Sequence, residues 1–303
     1  MYGPLQSAPS SSWAHLEQLT CGRYSLGMTD FAHSFLLLFG QLAFGGIVAL
    51  SVPGFQEIER GFFKSTACVF LGCGVAISLG KLSLAFSTPP NGLWDIRTFE
   101  IGLWFAFCCL GGLYAYTLWG DPFVLRARAY LGTLLCGFIA LSVSASAYRT
   151  AGLVSVETLF YPLSLLTSAL MLGAVATGMS LGHWYLIELD LSLEPFKRTF
   201  KFYAGTIVVH LATLVLGLLL LLVIGNEETR ARFTTLWAEH QMLLWMRFGL
   251  GPIASLGVAY MIWRTLQIPQ TMAATGLFYV ALLAAIVGEF LGRFLLFRTS
   301  LPL

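Results

Sequence analysis

Long apolar runs recur along the whole of this chain, separated by short polar breaks. They cover about 31–52, 66–86, 101–120, 129–147, 159–185, 202–224, 242–266 and 272–297. Each is close to the ~20 residues that a helix needs to cross the hydrocarbon core of a bilayer. A helix is the expected form, because a backbone in lipid must bond its N–H and C=O groups within its own segment. The breaks carry turn residues, as in Ser87-Thr88-Pro89-Pro90-Asn91-Gly92, Gly120-Asp121-Pro122 and Gln267-Ile268-Pro269-Gln270. The pattern predicts an all-α integral membrane protein. A polar segment over 1–29 leads into a bundle of about eight transmembrane helices over 30–298, and a short tail follows over 299–303.

Composition points the same way. Of 303 residues 57% are hydrophobic and only 11% are charged, with a mean hydropathy of +0.78. A soluble domain carries about 25% charged residues, so there is too little charge here to build a hydrated shell. The net charge of +2 implies no nucleic-acid partner. Five of the six cysteines (Cys68, Cys73, Cys108, Cys109 and Cys136) lie in apolar runs, where a thiol packs as a small hydrophobe. Only Cys21 sits in a polar stretch. No CxxC or Cys/His spacing suggests a zinc or iron–sulfur site, so no metal is expected and any iron–sulfur chemistry would belong to another chain. Residues 1–29 lack the charged start and apolar core of a signal peptide.

Eight spans place both termini on one side. The connections after spans 1, 3, 5 and 7 carry Arg60, Lys64, Arg126, Arg128, Lys197, Arg198, Lys201 and Arg264. The opposite side has Arg23, Lys81, Arg97, Arg149, Arg230, Arg232, Arg247, Arg293 and Arg298, spread over more residues and mixed with more acids. The denser basic set is expected in the cytoplasm, which places both termini outside. Glycines such as Gly40, Gly45, Gly46, Gly111 and Gly112 are expected to let helices approach closely.

Charge inside a span is costly and marks either a lock or a working site. Glu289 and Arg293 are four residues apart in span 8, on one helix face, where they can pair. With the topology above, His33, Gln41, Lys81, Glu100, Arg247, Glu289 and Arg293 can share a depth near the outer boundary. Acids, bases and donors gathered there suit quinone chemistry, since a quinol sheds two protons as it gives up two electrons. Glu100 and His33 are the candidate proton acceptors. Gln41, Lys81, Arg247, Glu289 and Arg293 are the candidate quinone-binding groups. A plainer reading has Lys81 and Arg247 snorkelling to the headgroups. On the inner side, His183 in span 5 and His210 in span 6 are expected at similar depth on antiparallel helices. They could ligate a haem b, or make ordinary interhelical hydrogen bonds.

Two runs carry a family resemblance. Phe39-Gly40-Gln41-Leu42-Ala43-Phe44-Gly45-Gly46 resembles the opening of the membrane-anchor subunit of dimethyl sulfoxide reductase. Gly288-Glu289-Phe290-Leu291-Gly292-Arg293 resembles that family's last helix. The span count, the outward termini and a proline-bearing loop ending in Glu100 agree with the family. The wider group includes the polysulfide-reductase membrane subunits called NrfD-like. The resemblance implies a multi-pass subunit of a bacterial or archaeal cytoplasmic membrane that holds no redox cofactor. It would be non-catalytic alone, oxidising menaquinol near the outer face within a respiratory complex and passing electrons to an iron–sulfur subunit or a multihaem cytochrome. By position Glu100 would lie near the quinol and Gln41 in the first-helix motif. The family's histidine at the end of span 2 is Lys81 here, and the stretch Gly182-His183-Trp184-Tyr185 has no counterpart.

Two other function classes stay open. A haem b-binding subunit would rest on His183 and His210. A secondary transporter would show inverted repeats and helices broken at mid-membrane. No repeat is evident, and Gly249-Leu250-Gly251-Pro252 in span 7 is the candidate break.

Overall fold

A computed structural model describes residues 31–87, 95–146, 156–188, 191–268 and 270–302. The polar segment over 1–29 with Cys21 and Arg23, the break from Thr88 to Gly92, Arg149 and Pro269 lie outside the described residues. The described residues form helices and contain no strand. In chain order they are α1 (Phe31–Ala49), α2 (Arg60–Ser87), α3 (Ile96–Thr117), α4 (Phe123–Ser146), α5 (Val156–Tyr185), α6 (Glu194–Ile224), α7 (Glu227–Glu239), α8 (Gln241–Phe248), a π-helical segment (Gly249–Ile253), α9 (Ala254–Gln267) and α10 (Thr271–Thr299). Eight helical units are long and apolar enough to cross a membrane, with α8, the π segment and α9 joined into the seventh. The polar α7 joins the sixth unit to the seventh.

Local chemistry sets the ends. Asp95 caps α3 by accepting a hydrogen bond from Arg97 N at 3.0 Å. Pro195 sits in the first turn of α6, where its missing N–H costs nothing. Ser300, with φ 53° in the left-handed region, ends α10 and donates its N–H to Leu296 O at 2.8 Å. Leu301 beyond it is buried, and Tyr161 Oη on α5 donates to Ser300 O at 2.6 Å. The tail therefore packs on the bundle.

Helix α5 is the most enclosed unit and α1 lies against it. A Cβ on Gly173 would come within 1.9 Å of Gly45 C, and one on Gly45 within 1.7 Å of Ala169 O. The two backbones touch there, and only a residue without a side chain permits it. Gly288 on α10 and Gly251 in the π segment meet in the same way, with a Cβ on Gly288 only 2.3 Å from Gly251 Cα. Around α1, Gly46 packs on Phe70 of α2, Gly40 on Trp104 of α3, and Phe44 fits against Gly137 of α4.

The connections after α1, α3 and α5 interlock at one end of the bundle. Arg198 donates to both oxygens of Glu57 at 3.0 and 3.2 Å, Arg60 pairs with Asp121, and Trp184 packs over Gly61. At the opposite end His33, near the start of α1, lies 5.7 Å ring to ring from Phe297, near the end of α10. Large apolar side chains such as Val208, Leu216, Leu135 and Phe138 are exposed along the outside, as they would be on a surface facing lipid.

Candidate functional site

Among the described residues the most deeply buried charges form one cluster. Glu289 projects from α10 toward α1, α5, α6 and α8. Its Oε1 lies 2.8 Å from Arg247 Nη2 and 2.9 Å from His210 Nε2, and its Oε2 lies 3.0 Å from Arg293 Nη2. Ser168 Oγ on α5 also donates to Oε2. Gln41 Nε2 on α1 donates to Ser168 Oγ at 2.7 Å and is 3.3 Å from Leu165 O. Gln41, Ser168, His210, Arg247, Glu289 and Arg293 all have 0% exposure. The glycine contacts explain the placement. The Gly45–Gly173 crossing holds Gln41, one turn before Gly45, against Ser168, and the Gly288–Gly251 contact lowers α8 onto α10 so that Arg247 reaches Glu289. The π segment contains Pro252, which cannot continue the α-helical hydrogen-bond ladder, so the seventh unit shifts its hydrogen-bond register beside the cluster while the helix runs on.

The network assigns a tautomer to His210. Thr167 Oγ1 donates to Leu163 O at 2.9 Å, so it accepts from His210 Nδ1–H at 3.0 Å. A neutral ring then presents a lone pair at Nε2, which accepts from Arg247 Nη2 at 3.0 Å. A second proton, arriving at Nε2, would stand between His210 and Glu289 Oε1 across 2.9 Å. With His210 neutral the cluster contains two guanidinium cations and one carboxylate, a surplus of one positive charge in a dry interior. Arg247 Nε and Nη1 and Arg293 Nε and Nη1 are buried donors with no protein acceptor. Burying an ion costs several kcal/mol unless it is paired. Glu289 is therefore the residue on which the other charges depend.

A second cluster lies between α2, α3 and α4. Lys81 Nζ is 2.8 Å from Glu100 Oε1, Ser144 Oγ donates to the same oxygen, and Trp104 Nε1 donates to Ser144 Oγ at 3.3 Å. Glu100 is 4% exposed and Lys81 7%. The indole of Trp104 also touches Gly40, the neighbour of Gln41, so α1 stands between the two clusters.

No protein-family model matches this chain, and no curated protein is detectably similar to it in sequence. Its chemistry must be read from the side chains themselves.

The sequence expectation of one shared site is corrected to two. Gln41, Arg247, Glu289 and Arg293 do converge, while Lys81 and Glu100 pair separately, because α2, α3 and α4 pack as a neighbouring group on the far side of α1. His33 lies half-buried against Phe297 at the bundle end. Snorkelling of Lys81 and Arg247 is overturned, since both are buried and paired.

The expected His183–His210 pair is also overturned. On α5 the partner of His210 is Thr167, sixteen residues before His183, or about 24 Å of helix rise. Helix α5 ends at Tyr185, just after His183, whereas α6 starts at Glu194, sixteen residues before His210, so the two stand at different depths. His183 is exposed at the opposite end, so the two histidines cannot ligate one haem. Among the described residues no three His, Cys, Asp or Glu side chains gather as metal ligands. Sequence reasoning missed Thr167, Ser168, Ser144 and Trp104. A lone serine or threonine in an apolar run usually bonds its own helix, so nothing in the pattern distinguishes these.

Proposed function

We propose that this chain is a multi-pass subunit of a respiratory membrane complex, and that it takes protons from a membrane quinol while the electrons pass to a redox partner. The observation that carries the reading is the Lys81–Glu100–Ser144–Trp104 constellation. It sets a carboxylate, held by an ammonium and a hydroxyl, just inside the edge of an apolar bundle. Removing two electrons and two protons from a quinol leaves a quinone. Glu100 takes one proton at a time and returns it to solvent, Lys81 holds the ring oxygen as charge develops, and an iron–sulfur or haem protein docked at that end accepts the electrons. The basic residues of the interlocked loops favour placing that opposite end in the cytoplasm. The two short motifs shared with the dimethyl sulfoxide reductase anchor group support the same reading.

The test is Glu100→Gln in the complex isolated with its partner chains. Quinol oxidation should fall by about a hundredfold or more while the subunits stay assembled. Undiminished turnover would remove Glu100 from the chemistry.

One feature favours a second reading. A buried cluster with surplus positive charge beside a helix whose hydrogen-bond ladder is interrupted at Pro252 also suits an ion site of a secondary transporter. Proton or anion flux in proteoliposomes holding this chain alone, with no response to quinol, would select it.

A further inference from the structure

At the interlocked end, remote from both clusters, a cavity of about 750 Å³ opens between the connection after α1 and the facing ends of α3 and α4. Its walls include Phe55, Glu59, Tyr114, Asp121, Arg126 and Tyr130. Three observations define what it could hold. The Arg126 guanidinium lies 4.6 Å from the centre of the Phe55 ring, so the side chain is clamped flat. Its Nη2 donates to Gly120 O at 3.0 Å, while its Nε is buried with no protein acceptor. The Arg126 guanidinium lines the cavity, and such a planar cation suits a phosphate oxygen. Two carboxylates, Glu59 and Asp121, line the same cavity. Asp121 already pairs with Arg60, while the exposed Glu59 shares a hydrogen bond with Glu188, a pair of acids whose repulsion an ammonium would relieve. At one edge the cavity is apolar: Phe123 on its wall is 76% exposed, and the exposed Val124 and Leu125 follow it on α4.

An anion site, a cation site and an apolar exit within one pocket match a single amphiphile. We infer that this cavity binds the headgroup of an amine-bearing phospholipid. The phosphodiester lies on Arg126, the ammonium on Glu59, and the acyl chains leave over Phe123 along α4. A phosphate without chains would satisfy Arg126 but leave the apolar edge uncovered. An anionic lipid without an amine would meet Glu59 unfavourably. The inference is independent of the quinone reading.

The experiment uses the whole chain, delipidated in detergent, with three probes: phosphatidylethanolamine, phosphatidylglycerol and glycerophosphoethanolamine. Thermal unfolding and native mass spectrometry report binding. Phosphatidylethanolamine should raise Tm and remain bound, with the other two at least about tenfold weaker. Arg126→Gln should abolish that preference. Because this variant also loses the bond to Gly120, Ala127→Trp serves as a second test, filling the cavity while leaving the guanidinium in place. Equal response to phosphatidylglycerol would overturn the role of the amine, and equal response to glycerophosphoethanolamine would overturn the lipid. Unaltered binding in both variants would overturn the site.

Discussion

Glu289 shows how much one residue can carry in a dry interior. It meets Arg247, Arg293 and His210 within 3.0 Å and stands at 0% exposure. Glu289→Gln keeps the shape but leaves two guanidiniums facing each other without a counter-charge. The expected loss is about 3–5 kcal/mol, read as a lower unfolding midpoint in detergent. Combining it with Arg293→Gln restores the original surplus of one, so the double variant should be more stable than Glu289→Gln alone. If it is not, the charge balance is not what holds the cluster. At the surface the rule differs. Glu59 shares a hydrogen bond with Glu188, and the like charge raises its carboxyl above the ordinary range. A raised acid contributes stability that is present at low pH and lost as pH rises through the raised value. Glu59→Gln should therefore gain stability relative to the unmodified chain on going from acidic to neutral pH. A difference in Tm that stays constant across that interval would show that the pair does not matter in solution.

Among the elements, the close crossings decide where side chains meet. Gly173→Ala would drive a methyl into the backbone of Gly45. Neither partner is a flexible side-chain tip, so α1 must move away from α5 and pull Gln41 from Ser168. A destabilisation of about 1–3 kcal/mol or more is expected. Gly205 on α6 supplies the control, since a Cβ there meets nothing within 4 Å. Gly205→Ala should stabilise by about 0.5–1 kcal/mol through helix propensity alone. Thermal denaturation of the two variants side by side separates contact from propensity, and equal effects would show that the α1–α5 crossing is looser than its geometry implies.

For the molecule as a whole, the exposed apolar surface and the buried charge reverse the usual arrangement of a soluble protein. Cys68 on α2 and Cys109 on α3 are exposed on the outside of the bundle, within spans. In intact membranes a charged maleimide should label neither, and both should react once the protein is unfolded in detergent. Labelling of either thiol in intact membranes would place that face in water and would end the transmembrane reading of its helix.

The eight spans could be read from the sequence because lipid-length apolar runs have few other uses. Their expected limits agree with the observed helices, although α2, α3, α4 and α6 start five to eight residues earlier, where first turns carrying Arg60, Arg97, Arg126 and Lys197 extend beyond the apolar run. The pairing of Glu289 with Arg293 was legible for a similar reason, since four-residue spacing on one helix is fixed by the helix itself. Arg247, His210 and Ser168 reach the same carboxylate only through the crossings at Gly45–Gly173 and Gly251–Gly288. Those depend on which backbones can touch, which one-dimensional spacing does not record. The separation of Glu100 from Glu289 has the same origin. Composition set the number of helices and the need to pair every buried charge, while the packing of helix against helix chose the partners.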